Sequence, residues 1–272
     1  SARRCSTVNW MPCLEGKNKM FPYLEIGPLS IQSRGVILIL GLWLALTLCD
    51  QLLKRARRTD IQGEVIFNLA ITGLIAGLIG ARLAYAARNP AAFAAQPLAL
   101  ILPSGQMLDE EAGLLFGILA ALIYGQRKKL PLWTTLDVLT PGLALMAIVI
   151  PLANLASGSG YGAPTTLPWG IRLWNEMRHP SQVYEMLAGA ITLALVWPRG
   201  GRQPAGQQFL RLMAWSAGWR LFLETWRGDS VMLTGSIRLW QVVAWLGLAL
   251  SLWLLGWLRR QSVEENTASP GE

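Results

Sequence analysis

The sequence predicts an all-α fold, a polytopic membrane protein of seven transmembrane helices with its N-terminus outside and its C-terminus in the cytoplasm. Three observations carry that prediction. Of 272 residues, 53% are apolar and only 15% charged. Several apolar runs approach the ~20 helical residues that cross a hydrocarbon core of roughly 30 Å. Lys and Arg fall in short clusters between those runs, as they do in cytoplasmic loops. The formal charge of +8 therefore reports topology. No basic face or nucleic-acid motif accompanies it, so no nucleic-acid partner is expected. Three cysteines, two of them in the first thirteen residues and Cys49 inside an apolar run, give neither metal-ligand spacing nor a disulfide framework.

Residues 1 to 19 are polar and aperiodic, without the apolar core of a signal peptide, and read as a disordered extension before Met20. The membrane domain runs from 20 to 262, and 263 to 272 form a disordered tail. Phe21 to Ile31 contains Pro22 and Pro28 among alternating apolar residues, which suits a short segment at the membrane surface. The first span, Val36 to Leu53, ends in Lys54-Arg55-Ala56-Arg57-Arg58, which places that end inside. The second, Val65 to Ala87, carries Gly73, Gly77 and Gly80, a small-residue stripe for close helix contact, and bears Arg82 and Tyr85 at its outer end. A long outer segment, 88 to 111, closes with Asp109-Glu110-Glu111. The third span, Ala112 to Gly125, ends in Arg127-Lys128-Lys129. The fourth, Thr134 to Ser157, contains Asp137 and Pro141 near its start and Asn154 near its end. An outer loop of turn formers, Gly158 to Gly170, is too polar to face lipid. The fifth span descends from Val183 to Trp197 and is followed by Arg199, Arg202 and Arg211. The sixth climbs from Gln208 to Trp226, and the seventh returns from Leu239 to Leu258 before Arg259-Arg260. No internal repeat is visible, which weighs against a transporter built on inverted halves.

Between the fourth and fifth spans lies Glu176-Met-Arg-His-Pro-Ser-Gln-Val-Tyr-Glu185, with the chain's single histidine. His179 precedes a proline and is pushed toward an extended backbone, while Pro180 suits the first position of a helix. A group that titrates near neutrality thus sits at a helix mouth beside Arg178, Ser181, Gln182, Tyr184 and Glu185, able to activate a nucleophile or hold an anion. The same residues also suit an interfacial loop anchored in head groups.

Given this topology, Arg82, Asn154, His179, Arg220, Glu224 and Arg227 reach one depth, the outer ends of four different spans. Ionisable groups in spans face interior cavities and mark function. Arg220, Glu224 and Arg227 share one helical face, with the carboxylate placed between two guanidiniums. Guanidinium forks bind phosphate oxygens in pairs, so the stripe suits a lipid phosphate, although a structural ion-pair ladder uses the same residues.

Arg178-His-Pro-Ser-Gln-Val-Tyr-Glu185 resembles the Arg-His-Pro-Ser-Gln-Leu-Tyr-Glu signature of the bacterial prolipoprotein diacylglyceryl transferases. Met20-Phe-Pro with Ile26-Gly-Pro-Leu29, Gly80-Ala-Arg-Leu83, Asp137 with Pro141, Tyr161 through Gly170, and Arg220-Leu-Phe-Leu-Glu224 through Arg227 with Gln241 are similar to further family motifs. The resemblance implies an enzyme of the bacterial cytoplasmic (inner) membrane. Its partners would be membrane lipids, phosphatidylglycerol as donor and, as acceptor, the lipobox cysteine in the signal peptide of a preprolipoprotein. Neither metal nor soluble cofactor is implied. By that resemblance His179 assists deprotonation of the thiol and Arg220 holds the phosphate with Arg82 and Arg227 in support. Asn154, Gly162, Gln182, Tyr184 and Glu224 complete the lipid site.

The chain also departs from the family pattern. Pro151 stands where the family has an arginine, and Asp109-Glu-Glu-Ala-Gly113 replaces a loop that carries a histidine. Ser159 replaces a glutamate, and Arg34 and Ser216 replace tyrosines. Glu111 is the candidate base in place of that histidine, and Arg34 the candidate replacement charge. Two other readings stand beside the enzyme: a silent homologue that binds phosphatidylglycerol or a lipoprotein precursor, favoured by the lost arginine and histidine, and a channel or lipid transporter. The transporter would need polar residues through the inner half, where only Asp137 and Asn68 are obvious.

Overall fold

The computed structural model describes residues 23–26, 29–56, 61–91, 108–173, 176–198, 203–228, 232–233 and 238–268. The N-terminal extension, most of the outer segment before Asp109, and the basic residues Arg57, Arg58, Arg199 and Arg202 lie outside them. The protein is mostly helical, with seven α-helices among the described residues. They are α1 (Ser33–Arg55), α2 (Gly63–Arg88), α3 (Glu110–Arg127), α4 (Leu132–Ser157), α5 (Ser181–Leu195), α6 (Gln207–Leu223) and α7 (Leu239–Ala268). Four of them, α1, α2, α4 and the Leu239–Gln261 part of α7, are long and apolar enough to cross a membrane. The other three have 18, 15 and 17 residues. At ~1.5 Å per residue, 15 residues reach only ~22 Å.

Two small antiparallel hairpins qualify the all-α expectation. β1 (Tyr23–Ile26) pairs with β2 (Leu29–Gln32), Tyr23 opposite Gln32 and Ile26 opposite Leu29. The alternating stretch taken for a surface segment thus satisfies its backbone groups as a ribbon that leads directly into α1. β3 (Ile171–Leu173) pairs with β4 (Glu176–Arg178) in the loop before α5.

Small residues set the helix contacts. Along α2 and α3 the seam is glycine on glycine: a Cβ added to Gly77 would lie 2.8 Å from the carbonyl oxygen of Gly113, and one on Gly117 would lie 2.9 Å from that of Gly73. Lipid provides no hydrophobic drive between helices, so such backbone approach supplies the contact energy. α1 meets α4 in the same manner, with Gly41 under Val149 and Gly142 against Ala45 and Cys49.

α4 is the central element and contains two prolines, Pro141 and Pro151. Proline lacks the N–H that would bond the carbonyl four residues back, which for Pro151 is that of Ala147. The carbonyl oxygen of Ala147 instead meets α5 at Gly189, where an added Cβ would be only 2.8 Å away. Near the other end, Asp137 reaches across to the first turn of α6. Its Oδ2 accepts from the Gly206 N–H at 2.6 Å and its Oδ1 from the Phe209 N–H at 2.9 Å. The first N–H groups of a helix have no partner within it and carry partial positive charge, so a carboxylate from a neighbour both satisfies and neutralises them. That contact gives Asp137 a packing role.

Candidate functional site

The site grows from the C-terminus of α4. Gly158, with φ +76°, ends the helix in the left-handed region that glycine adopts without strain, and Gly160 (φ +64°) turns the chain again. The following residues then run extended between two other segments. On one side Ala163 N–H donates to the carbonyl of Trp226 at 2.8 Å and Gly228 N–H to that of Tyr161 at 3.0 Å. On the other, His179 N–H donates to the carbonyl of Ala163 at 3.0 Å and Thr165 N–H to that of Met177 at 2.8 Å. The outer loop is therefore the middle thread between the end of α6 and the start of α5. A side chain on Gly162 cannot fit, because its Cβ would lie 2.3 Å from the carbonyl oxygen of His179.

Two side chains of the decapeptide fasten this thread. Buried Ser181 donates from Oγ to the Gly160 carbonyl at 2.7 Å, and fully buried Gln182 from Nε2 to that of Ser159 at 2.8 Å. α5 begins at Ser181 with Pro180 as its cap residue, one position later than the sequence suggested. Arg178 pairs with Glu176 at 2.6 Å and lies 5.0 Å over the Tyr161 ring.

Above it stands an aromatic group. Trp169 Nε1 donates to the Tyr184 hydroxyl at 2.9 Å, and His179 Nδ1 is 3.4 Å from the same oxygen. Trp226 covers both rings, at centroid distances of 6.3 Å from His179 and 6.0 Å from Tyr184. The indole nitrogen only donates, so the Tyr184 oxygen accepts from it and its own proton is available to Nδ1. That arrangement accommodates the His179 tautomer with its proton on Nε2.

Beside this group lie two guanidiniums and two carboxylates. Arg220 Nε is 3.0 Å from Glu224 Oε2, and Arg227 Nη1 is 2.7 Å from Glu185 Oε1. Arg220 Nη1 is 3.9 Å from the same Glu185 oxygen, so Glu185 links the two arginines. Glu224 is completely buried, and neither carboxylate oxygen has a partner in hydrogen-bond geometry, although Oε2 is in ion-pair range of Arg220. The close charge pair balances the buried charge, while the oxygens retain capacity for a further donor. Arg220 remains 35% exposed against 14% for Arg227, so of the two it is the more accessible to a ligand. Arg238 donates to the backbone carbonyls of Glu224 and Arg227.

The expected stripe of Arg220, Glu224 and Arg227 is corrected here. α6 ends at Leu223 and Glu224–Trp226 form a tighter 3₁₀ turn, which rotates Arg227 off the face it would share in a continuous helix. Glu224 pairs with Arg220, and Glu185 takes the place between the guanidiniums. The sequence placed Glu185 at the helix mouth with His179 but did not connect it to the two arginines, and it did not single out Arg238. Glu185 is the one charged residue of α5, which is the signal that marks it.

Asn154 and Arg227 both border Gly160: a methyl group there would be 3.5 Å from Asn154 Nδ2 and 3.6 Å from Arg227 Nη2, and the buried Asn154 Oδ1 has no hydrogen-bond partner among the described residues. Arg82 lies partly buried on α2, and Glu111 is exposed in the first turn of α3. Among the described residues Glu111 makes no ion pair or hydrogen bond to the cluster around His179. Arg34 pairs with Glu110 at 2.9 Å. Asp109 caps α3, accepting from Ala112 N–H at 3.0 Å, and pairs with Arg88.

The prolipoprotein diacylglyceryl transferase family matches residues 22–257, which contain the whole arrangement. The chain belongs to that family. The phosphatidylglycerol–prolipoprotein diacylglyceryl transferase of Synechococcus elongatus is 31% identical, over 86% of this chain and 86% of its own. The Gloeobacter violaceus protein of the same name is 30% identical over 94% of this chain and 99% of its own, and that of Clostridioides difficile 29% over 81% and 88%. In that arrangement two arginines, charge-balanced by Glu185 and Glu224, lie beside the imidazole of His179, and the guanidinium forks have the chemistry to hold a phosphate.

Proposed function

We propose that this protein transfers the diacylglyceryl group of phosphatidylglycerol to the lipobox cysteine thiol of preprolipoproteins, as a seven-span enzyme of the bacterial inner membrane with its N-terminus outside. The observation that carries the reading is the half-open Arg220, balanced by Glu224 and Glu185, beside His179 in a chain of this family. Arg220 binds the lipid phosphate, and its carboxylate partners hold the guanidinium in place. Arg227, next to Asn154 at the end of α4, takes over the charge that the family places where this chain has Pro151. With its proton on Nε2, His179 serves as a hydrogen-bond donor to the phosphate, oriented through Nδ1 by Tyr184. Gly162 and Gln182 keep the loop in position for it. Arg82 supports the phosphate from α2.

In the reaction the cysteine sulfur attacks the glycerol carbon. A carbon–sulfur bond forms, the carbon–oxygen bond to phosphorus breaks, and glycerol phosphate departs with the electron pair, receiving the proton that the thiol gave up. Guanidiniums at the departing phosphate stabilise the charge that develops there. The thiol is a poor nucleophile until it loses its proton, and Glu111 accepts that proton.

The test is transfer of labelled diacylglyceryl from phosphatidylglycerol to a lipobox peptide by the purified protein. Transfer should be lost in Arg220→Ala and Arg227→Ala and reduced in Glu111→Gln. Phosphatidylglycerol binding without transfer by the wild type would replace the enzyme with a silent lipid-binding homologue. A Glu111→Gln variant at the wild-type rate would remove Glu111 from the mechanism.

A further inference from the structure

Between the early turns of α6 and the later turns of α7 lies a groove of about 310 Å³, lined by Arg211, Ala214, Trp215, Gly218, Leu248, Leu252 and Leu255. Its Arg211 end is set apart from the proposed active site. Arg211 precedes Arg220 by nine residues on α6, roughly 13 Å at 1.5 Å per helical residue, while Gly218 forms the end nearer to it. The Arg211 end therefore lies toward the other leaflet.

Three features say what fills it. Gly218 is a helix-interior glycine that no neighbour requires, because a Cβ there would meet nothing within 4 Å. Most helical glycines in α1 to α5 sit under a contacting atom, so the space over Gly218 is a hollow and not a helix seam. The walls are apolar, with Trp215 stacked on Trp219 along one side. The exception is Arg211, at the end of the groove near the start of α6. Among the described residues its guanidinium meets only the Gln203 side-chain oxygen, at 3.3 Å, and no carboxylate compensates it. A long apolar hollow ending in an uncompensated cation at the depth of a helix terminus matches one anionic phospholipid.

We propose that this groove binds an anionic phospholipid of the leaflet opposite the proposed active site, with one acyl chain over Gly218 and the phosphate on Arg211. The site rests on the membrane reading alone and not on catalysis. Its lipid is a resident of the α6–α7 interface.

The experiment places the purified full chain in vesicles of phosphatidylcholine and phosphatidylserine, the latter carrying a photoactivatable acyl chain. Phosphatidylserine serves as an anionic probe distinct from the proposed donor. Cross-links should concentrate on the α7 peptide that contains Leu248, Leu252 and Leu255. Gly218→Leu fills the hollow without touching the backbone of α7 and should lower that cross-linking by about tenfold, with thermal unfolding unchanged. Arg211→Gln should keep acyl-chain access and abolish the preference for phosphatidylserine over a photoactivatable phosphatidylcholine. Cross-links spread evenly along the exposed face of α7, undiminished cross-linking in Gly218→Leu, or an undiminished preference in Arg211→Gln would each overturn the proposal.

Discussion

The α2–α3 pair and the α4–α5–α6 group are both held together in a setting where apolar burial gives little drive, yet they use different means. Along its length α2–α3 relies on shape: Gly73 and Gly77 face Gly113 and Gly117, and the outward residues, such as Leu78, Ile79, Leu115 and Ile118, are exposed to lipid. In the α4–α6 group charge is concentrated at both ends. Asp137 caps α6 at one end, and Glu185, Glu224, Arg220 and Arg227 form the balanced cluster at the other. Close glycine contact sets a distance between two helices and tolerates little change of side chain. Charged contacts set orientation and present groups to a ligand. That is why eight of the ten candidate site residues, His179, Arg220, Asn154, Gly162, Glu224, Arg227, Gln182 and Tyr184, belong to the second region, and only Arg82 and Glu111 to the first.

The largest effect is expected where the charged end meets chemistry. Arg220→Ala should lower the rate of transfer by about 10² or more, the magnitude seen when one preorganised donor to a developing charge is removed. Circular dichroism should still report a folded protein. Next comes the thread through the outer loop. Gly162→Ala pushes a methyl group into the His179 carbonyl, and the displaced imidazole should lower the rate by about tenfold or more, since small misplacements of positioning groups reach 10². Gly77→Leu breaks the other region. The two helices must separate, which should lower stability in detergent by ~1–3 kcal/mol, measured by thermal unfolding. If transfer survives that change, the proposed site is independent of the α2–α3 seam. If it is lost, Arg82 and Glu111 depend on how the pair is seated. The smallest effect belongs to the non-catalytic carboxylate. Asp137→Ala removes the acceptor for two N–H groups of α6 and should cost about 1 kcal/mol of stability, as helix caps do, with transfer near the wild-type rate. A large loss of transfer in Asp137→Ala would show the two ends to be coupled.

Much of this was legible in the chain. Among the described residues a helix stands where each apolar run lies, and four of those helices are long and apolar enough to cross a membrane, since run length and the turn formers between runs act locally. The glycine stripe on α2 was visible, although its counterpart on α3 was not marked, because a contact face shows only when its partner is known. Asp137 reads as a polar residue near the start of a span, and its role became clear only with α6 beside it.

The boundary between the two sources of information follows range. Periodicity, proline and glycine placement, and the His-Pro-Ser-Gln motif are properties of neighbours along the chain, and they alone determined the helices, the helix mouth at His179 and the resemblance to the family. Pairings between distant residues depend on how helices rotate and end. Only the tertiary structure decided that the 3₁₀ turn after Leu223 turns Arg227 away from Glu224 and toward Glu185, that Asn154 and Arg227 both border Gly160, and that Gly162 is threaded between the segment after α6 and the segment before α5. A helix that stops one turn early moves a side chain to another face, and the apolar pattern carries no record of where that last turn tightens.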